Sequence, residues 1–161
     1  MDLTTLNSKT YRIEKNKRQL AEIRFPSVWS RRAEGEVPSG EIQILSDSTW
    51  GSKYHYLLNE VDRGHFRIDI WSGKTLIEVI WDEDQKPITY RLKSKWTGSK
   101  FILLDDEEQE ILIIRAKMSW RRLCYVFDLE WKHRFEDEDQ AAELAVYALH
   151  AARVKLAMQS G

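Results

Sequence analysis

Two clusters of acidic residues carry the side chains that most readily take part in chemistry in this sequence. They are Asp82-Glu83-Asp84 and Asp105-Asp106-Glu107-Glu108. Carboxylates bind calcium, and two carboxylates in different environments act together as a general acid and a general base. Neither cluster has the Asp-x-Asp-x-Asp-Gly register of a calcium-binding loop. We therefore interpret both as solvated turns, and we predict no catalytic residue and no enzymatic activity.

The histidines and the single cysteine form no recognisable metal-binding or nucleophile motif. His55, His65, His133 and His150 share no metal-ligand spacing, and Cys124 is the only cysteine. The sequence also lacks a phosphate-binding glycine loop and a nucleophile elbow. We therefore predict no metal site and no cofactor. His150 lies in an apolar segment, where we expect a neutral imidazole that is hydrogen-bonded to the protein.

Five basic residues are the candidates for binding an anion or a lipid head group. They are Lys93, Lys95, Lys100, Arg121 and Arg122, and they flank Trp96 and Trp120. If neighbouring strands bring them together, they form a cationic patch with aromatic side chains, which suits a phosphate or an anionic head group. The alternative is that they keep an exposed strand face charged, which favours solubility and protects sheet edges. Both interpretations remain open at this point.

Tryptophan is unusually frequent, with seven residues at positions 29, 50, 71, 81, 96, 120 and 131. Trp29 and Trp50 stand in segments typical of loops, where an exposed ring usually needs a binding partner. We predict these two as exposed aromatic contacts. Most of the other five adjoin strand-like segments, so we expect them to pack in the core or at the ends of the fold.

Length, charge and cysteine content restrict the class of protein. The chain has 161 residues, of which 42% are hydrophobic and 32% are charged, as expected for a single globular domain over residues 1–161. The formal net charge of -1 argues against a nucleic-acid partner. Met1 and the residues after it lack the features of a secretory signal, and one cysteine makes no intrachain disulfide. We therefore expect a cytoplasmic protein, and its oligomeric state stays open.

A long apolar helix near the carboxyl end is the first of the elements that must position these residues. Residues 137–158 predict a helix with Asp137 at its N-cap. Between positions 141 and 152, only Glu143 and His150 interrupt a run of alanine, leucine, valine and tyrosine. A helix on a protein surface has a polar face, so we expect this helix to be enclosed by other elements.

Strand-turn-strand patterns precede the helix. Three of them share one form: Tyr11-x-Ile13 with Leu20-x-x-Ile23, Phe66-x-Ile68 with Leu76-x-x-Val79, and Phe101-x-Leu103 with Ile111-x-x-Ile114. Further strands are predicted at 41–45, 54–59, 88–95 and 123–131, and an irregular loop at 26–40. These patterns predict an α+β, β-dominated fold, a closed antiparallel barrel of about ten to twelve strands that encloses the C-terminal helix.

Three segments of the sequence carry a family resemblance. They are Tyr11-Arg12-Ile13-Glu14-Lys15-Asn16 followed by Leu20-Ala21-Glu22-Ile23, Phe101-Ile102-Leu103-Leu104-Asp105-Asp106 followed by Glu110-Ile111-Leu112-Ile113, and the closing Glu143-Leu144-Ala145-Val146-Tyr147-Ala148-Leu149. In their order and spacing, the chain resembles the tubby C-terminal-like superfamily, which includes the LURP-one-related proteins and the phospholipid scramblases. The resemblance implies a closed barrel of about twelve antiparallel strands around a hydrophobic helix.

A helix that fills the barrel restricts function to the loops and the outer surface. We therefore expect a non-enzymatic module that recognises anionic lipid head groups or a protein partner there. The alternative is a lipocalin-like carrier, with the helix packed outside the barrel and a tryptophan-lined cavity open to a small ligand.

Overall fold

The structure, a computed structural model, describes residues 1–28, 30–47, 52–69, 71–95 and 98–159. Within these residues it has twelve strands and one helix: β1 (Asp2–Thr5), β2 (Thr10–Lys15), β3 (Arg18–Arg24), β4 (Ala33–Val37), β5 (Gly40–Ser46), β6 (Lys53–Leu58), β7 (Val61–Ile68), β8 (Thr75–Val79), β9 (Ile88–Ser94), β10 (Lys100–Leu104), β11 (Glu110–Ser119), β12 (Cys124–Trp131) and α1 (Glu138–Gln159). Each strand pairs with the next along the chain. Because β1 also packs beside β12, the sheet forms a nearly closed antiparallel barrel.

Helix α1 runs through the interior of this barrel. Residues 141–154 are all buried, and they include the polar side chains of Glu143, His150 and Arg153. Alanine at many of these positions keeps the helix narrow, so that the strands pack closely around it. The prediction of an enclosed C-terminal helix is confirmed. The lipocalin-like arrangement with an external helix is not the one observed.

The start of α1 is set by a side-chain cap. The carboxylate of Asp137 accepts hydrogen bonds from the backbone N–H groups of Asp139, at 2.9 Å, and Gln140, at 3.2 Å. These N–H groups have no partner within the helix, so the cap stabilises its first turn. The predicted N-cap is confirmed, and the helix ends at Gln159, one residue beyond the predicted end.

The three predicted hairpins are present as β2–β3, β7–β8 and β10–β11. In the turn between β2 and β3, Asn16 and Lys17 have φ values of 51° and 64°. Two successive positive φ values match the right-handed twist of the flanking strands, which a tight hairpin requires. In β7–β8, Phe66 pairs with Ile77, and both side chains are fully buried in the core around α1.

The segment 26–40, predicted to be an irregular loop, contains strand β4. Ala33, Gly35 and Val37 face the core and alternate with two exposed glutamates. A Cβ atom on Gly35 would lie 2.6 Å from the backbone oxygen of Glu22, so the backbone of β3 leaves no room for a side chain at this position. Small inward residues give a weak hydrophobic pattern, and the loop prediction is therefore wrong for this strand.

Candidate functional site

The connections between strands fall into two groups, because neighbouring strands are antiparallel and successive connections lie at opposite ends of the barrel. One group surrounds the start of α1 and comprises residues 16–17, 38–39, 59–60, 80–87, 105–109 and 132–137. The other group surrounds the end of α1, and its described parts are 6–9, 25–28, 30–32, 47, 52, 69, 71–74, 95, 98–99 and 120–123.

These two ends of the barrel differ in charge. Around the end of α1, the described connections contain seven basic residues, Lys9, Arg31, Arg32, Lys74, Lys95, Arg121 and Arg122, and two acidic ones, Asp47 and Asp69. Around its start they contain ten acidic residues, Glu60, Asp82, Glu83, Asp84, Asp105, Asp106, Glu107, Glu108, Glu136 and Asp137, and four basic ones, Lys17, Lys86, Lys132 and Arg134. We name them the basic end and the acidic end. The formal net charge of the whole chain is -1, so it gives no sign of this difference between the two ends.

The turn between β11 and β12 combines positive charge with exposed apolar side chains at the basic end. Trp120 is 81% exposed and Leu123 is 74% exposed, and Arg121 and Arg122 stand between them. The backbone N–H of Arg122 donates to the oxygen of Ser119 at 3.2 Å, which closes the turn. Large apolar side chains this exposed at the tip of a hairpin are typical of a contact surface.

The turn between β7 and β8 presents a second exposed tryptophan at the same end. Trp71 is 98% exposed. The carboxylate of Asp69 accepts hydrogen bonds from the Trp71 backbone N–H at 3.0 Å and the Ser72 hydroxyl at 2.6 Å. These hydrogen bonds lower the pKa of Asp69 and keep its carboxylate ionised, and the largest effect comes from the Ser72 hydroxyl, ahead of the backbone N–H groups. These hydrogen bonds fix the backbone of the turn that carries Trp71 and Lys74.

A cleft of about 220 Å³ lies next to this turn, between the start of β8 and the end of β9. Its cationic lining residues are Lys74, Arg91, Lys93 and Lys155. Lys155 comes from the last turns of α1, and burial lowers its pKa. Lysines from the β7–β8 turn, β9 and α1 therefore line one cleft.

The five basic residues singled out in the sequence occupy different parts of this region. Lys95 and Lys100 face each other at the turn end of the β9–β10 hairpin, where the Lys95 N–H donates to the Lys100 oxygen at 2.9 Å. Arg121 and Arg122 lie in the β11–β12 turn. Lys93 lines the cleft, but its Nζ atom is 4.0 Å from Glu108, which belongs to the acidic end. The structure thus brings four of the five to the basic end and places Lys93 farther along the barrel wall.

Arg122 also has a structural role at the seam of the barrel. Its Nη1 atom donates a hydrogen bond of 3.0 Å to the backbone oxygen of Thr5, the last residue of β1. Nearby, the hydroxyl of Tyr11 donates to the oxygen of Tyr125 at 3.3 Å. These two contacts fasten the first strands to the β11–β12 hairpin, where the sheet closes on itself.

The tryptophans predicted as exposed contacts, Trp29 and Trp50, lie outside the described residues, as does Trp96. Trp71 and Trp120 are exposed, although packing was expected for most tryptophans next to strands. The order of the connections along the chain is a signal that could have found them. In a meander, successive connections lie at alternate ends of the barrel, and this rule places the turns that carry Trp71 and Trp120 at the same end.

The acidic clusters stabilise turns. Asp105 accepts hydrogen bonds from the backbone N–H groups of Glu107 and Gln109, both at 2.9 Å. Asp82 accepts one from the N–H of Asp84 at 3.2 Å. Among the described residues, no group of three or more His, Cys, Asp or Glu side chains is placed to hold a metal ion. Within the same residues, no helix combines the length and the apolar character needed to cross a bilayer.

The histidines pair with acceptors or lie in the core. Nε2 of His150 is 2.8 Å from the backbone oxygen of Arg31, and burial lowers the pKa of His150 to about 4. The imidazole is therefore neutral at physiological pH, and the prediction for this residue is confirmed. His55 and His65 face each other across β6 and β7, with ring centroids 6.5 Å apart.

Comparisons with known proteins find no relative of this chain. No protein-family model matches the chain, and searches of the curated proteins and of the solved structures find no significant match. The barrel of twelve strands around a C-terminal helix has the architecture that the resemblance to the tubby C-terminal-like superfamily implies. Membership of that superfamily stays a prediction.

Proposed function

We propose that this chain is a non-enzymatic binding module that recognises anionic lipid head groups on a membrane surface through its basic end. The observation that carries the proposal is the β11–β12 turn, in which Arg121 and Arg122 stand between the exposed side chains of Trp120 and Leu123. Tryptophan favours the membrane–water interface, and arginine is attracted to anionic head groups. In this turn, the apolar side chains enter the interface while the guanidinium groups stay among the phosphates.

The β7–β8 turn supports the same orientation on the membrane. Trp71 is even more exposed than Trp120, and it stands beside the cleft that contains Lys74 and Lys155. A phosphate in this cleft would receive charge-assisted hydrogen bonds from ammonium groups on the turn and on α1. Two separate turns thus offer one tryptophan each, with positive charge next to it.

The charge asymmetry of the barrel orients the molecule before contact. An anionic surface attracts the basic end and repels the acidic end, which raises the fraction of productive encounters. The cytoplasmic leaflet carries such anionic lipids, in agreement with the cytoplasmic location that the sequence predicts.

Vesicle sedimentation tests the proposal. We expect the chain to sediment with vesicles of phosphatidylcholine and phosphatidylserine and to stay in solution with phosphatidylcholine alone. An Arg121→Glu/Lys95→Glu variant leaves the hydrogen bond between Arg122 and Thr5 intact. Each basic residue near an anionic surface contributes about 1 kcal/mol, so affinity should fall by a factor of roughly 30 or more. An Arg121→Glu/Arg122→Glu variant should lose at least as much.

The matched control reverses two charges at the acidic end, in a Lys17→Glu/Lys86→Glu variant with the same net charge as the first. We expect it to sediment like the unaltered chain, because these lysines face away from the membrane. The proposal fails if the unaltered chain does not sediment with anionic vesicles. It also fails if the two double variants lose binding equally, since net charge alone would then explain the result.

A further inference from the structure

A cavity of about 220 Å³ opens at the basic end, between the last turns of α1, strand β2 and the β11–β12 hairpin. Its lining is largely apolar and includes Tyr11, Val28, Leu123, Leu156 and Ala157. An apolar cavity of about 150 Å³ is enough to bind benzene. This cavity therefore has room for a ring or a short hydrocarbon chain, and Val28 and Leu123, both partly or largely exposed, stand at its opening.

Arg153, on α1, contributes a positive charge to the wall of this cavity. The residue is only 9% exposed. Its Nη2 atom donates to the backbone oxygen of Val28 at 2.9 Å, and its Cζ atom lies 3.7 Å from the centre of the Phe25 ring. Nη1 is buried and has no hydrogen-bond partner among the described residues. Among the described residues, no carboxylate forms an ion pair with this guanidinium group.

The other buried charge on α1 shows how this chain satisfies such a group when it is structural. Glu143 pairs with Arg63 and accepts hydrogen bonds from two hydroxyl groups. A buried charge without a partner is costly, because the protein replaces only part of its lost hydration. Glu143 has a buried counter-ion, whereas no described carboxylate pairs with Arg153. An apolar cavity lies beside Arg153 instead.

We infer that this cavity binds a carboxylate attached to a short apolar chain or ring, such as a medium-chain fatty acid. The carboxylate pairs with the guanidinium group of Arg153, and the hydrocarbon part fills the apolar space. A neutral ligand of the same size would leave the buried cation unpaired, and an ammonium ligand would be repelled by it. Inorganic phosphate would leave the apolar walls in contact with water. This inference does not depend on membrane binding.

Titration calorimetry with the full chain tests the ligand class, using octanoate, 1-octanol and octylamine as probes below their micelle-forming concentrations. A hydrogen bond to a charged group strengthens binding by about tenfold or more. We therefore expect octanoate to bind at least about tenfold more tightly than 1-octanol, and octylamine to give no binding. Equal affinity for octanoate and 1-octanol, or no binding of octanoate, would overturn the inference.

Two variants locate the site. Arg153→Met keeps an apolar stem without the charge, and it should reduce octanoate affinity to the level of 1-octanol. Ala157→Phe fills the cavity from an exposed helix position that does not support the core, so it should abolish binding of both probes. Met158→Phe, at the neighbouring exposed position outside the cavity lining, is the matched control and should bind octanoate normally. Unchanged octanoate affinity in a folded Ala157→Phe variant would place the ligand elsewhere and refute the assignment.

Discussion

Arg63 and Glu143 form a buried ion pair near the acidic end of the barrel, with Arg63 Nε 2.8 Å from Glu143 Oε2. Glu143 is only 1% exposed, and its carboxylate also accepts hydrogen bonds from Tyr147 at 3.0 Å and Ser39 at 3.3 Å. The acidic residue that interrupts the apolar helix is therefore fully partnered. It connects α1 to β7 and to the β4–β5 turn.

We expect Arg63→Met to destabilise the fold by about 3 kcal/mol, because it leaves the Glu143 carboxylate buried without its cation. The figure is at the lower end for a broken buried pair, since the Arg63 side chain is 20% exposed. Urea unfolding followed by circular dichroism measures the change. The double variant Arg63→Met/Glu143→Gln should lose less than Arg63→Met alone. A loss below about 1 kcal/mol in the single variant would contradict this account.

The buried His150 predicts a loss of stability in mild acid. Burial lowers its pKa from 6.5 to about 4, so the unfolded chain binds a proton at a higher pH than the folded one. The free energy of unfolding should therefore be highest above pH 6.5 and fall as the pH drops to about 4, by about 3 kcal/mol in all. Urea unfolding at a series of pH values measures this slope.

The control for this pH dependence separates His150 from the other titrating groups. His150→Phe should remove most of the slope above pH 5, whereas His133→Gln, at an exposed site, should keep it. Burial also lowers the pKa of His65, which acts in the same direction. Glu22 and Glu130 have lowered pKa values and lose their contributions only below about pH 4.5. A His150→Phe variant with an unchanged slope would show that another group is responsible.

Replacing Gly64 by alanine should lower the stability of the fold considerably, although it adds only one methyl group. Its φ of 138° is strained for other residues, and a Cβ atom would lie 1.9 Å from the backbone oxygen of Glu78. Gly64→Ala should therefore destabilise the fold by about 2 kcal/mol or more, measured by urea unfolding. Gly73→Ala is the comparison, since Gly73 also has a positive φ, 68°, but no atom of another described residue, apart from its chain neighbours, lies within 4 Å of the added carbon. Its cost should be about 1 kcal/mol. Equal costs would exclude the backbone contact as the cause.

Leu123 should contribute to membrane binding without contributing to stability. Leu123→Ser removes a side chain that is 74% exposed, so the free energy of unfolding should change by less than about 0.5 kcal/mol. Binding to anionic vesicles should weaken roughly tenfold, because the turn loses an apolar side chain that enters the interface. Val61→Ser is the control, since Val61 is 56% exposed at the acidic end. If both variants bind alike, the basic end is not the membrane-facing surface.

Local patterns in the sequence predict most of the fold. The helix, its cap at Asp137 and the hairpins follow from residues close together in the chain, because capping, turn chemistry and alternation act over a few positions. The enclosure of α1 follows from Glu143 and His150 being the only polar residues over three turns. Strand β4 escapes prediction because Ala33 and Gly35 are small, and at Gly35 the backbone of β3 leaves no room for a Cβ atom.

The candidate site depends on relations that no local pattern contains. Arg121 and Trp71 are far apart in the chain. Their turns lie at the same end of the barrel because an even number of strands separates them. Arg153 has no counter-ion among the described residues, and this depends on every element packed around it. The sequence therefore predicts which kinds of side chain could bind an anion or a membrane. Only the strand order shows that these side chains lie at one end of the barrel.

The position of α1 has a consequence for biosynthesis. The helix fills the barrel, yet it follows all twelve strands along the chain, and the hydroxyl of Tyr56 donates to the oxygen of Tyr147 across 91 positions of sequence. The strands leave the ribosome before the element that covers their inward faces exists. Until then the inward apolar faces of the strands have no helix to pack against, so the barrel completes its core only after residues 138–159 have been made.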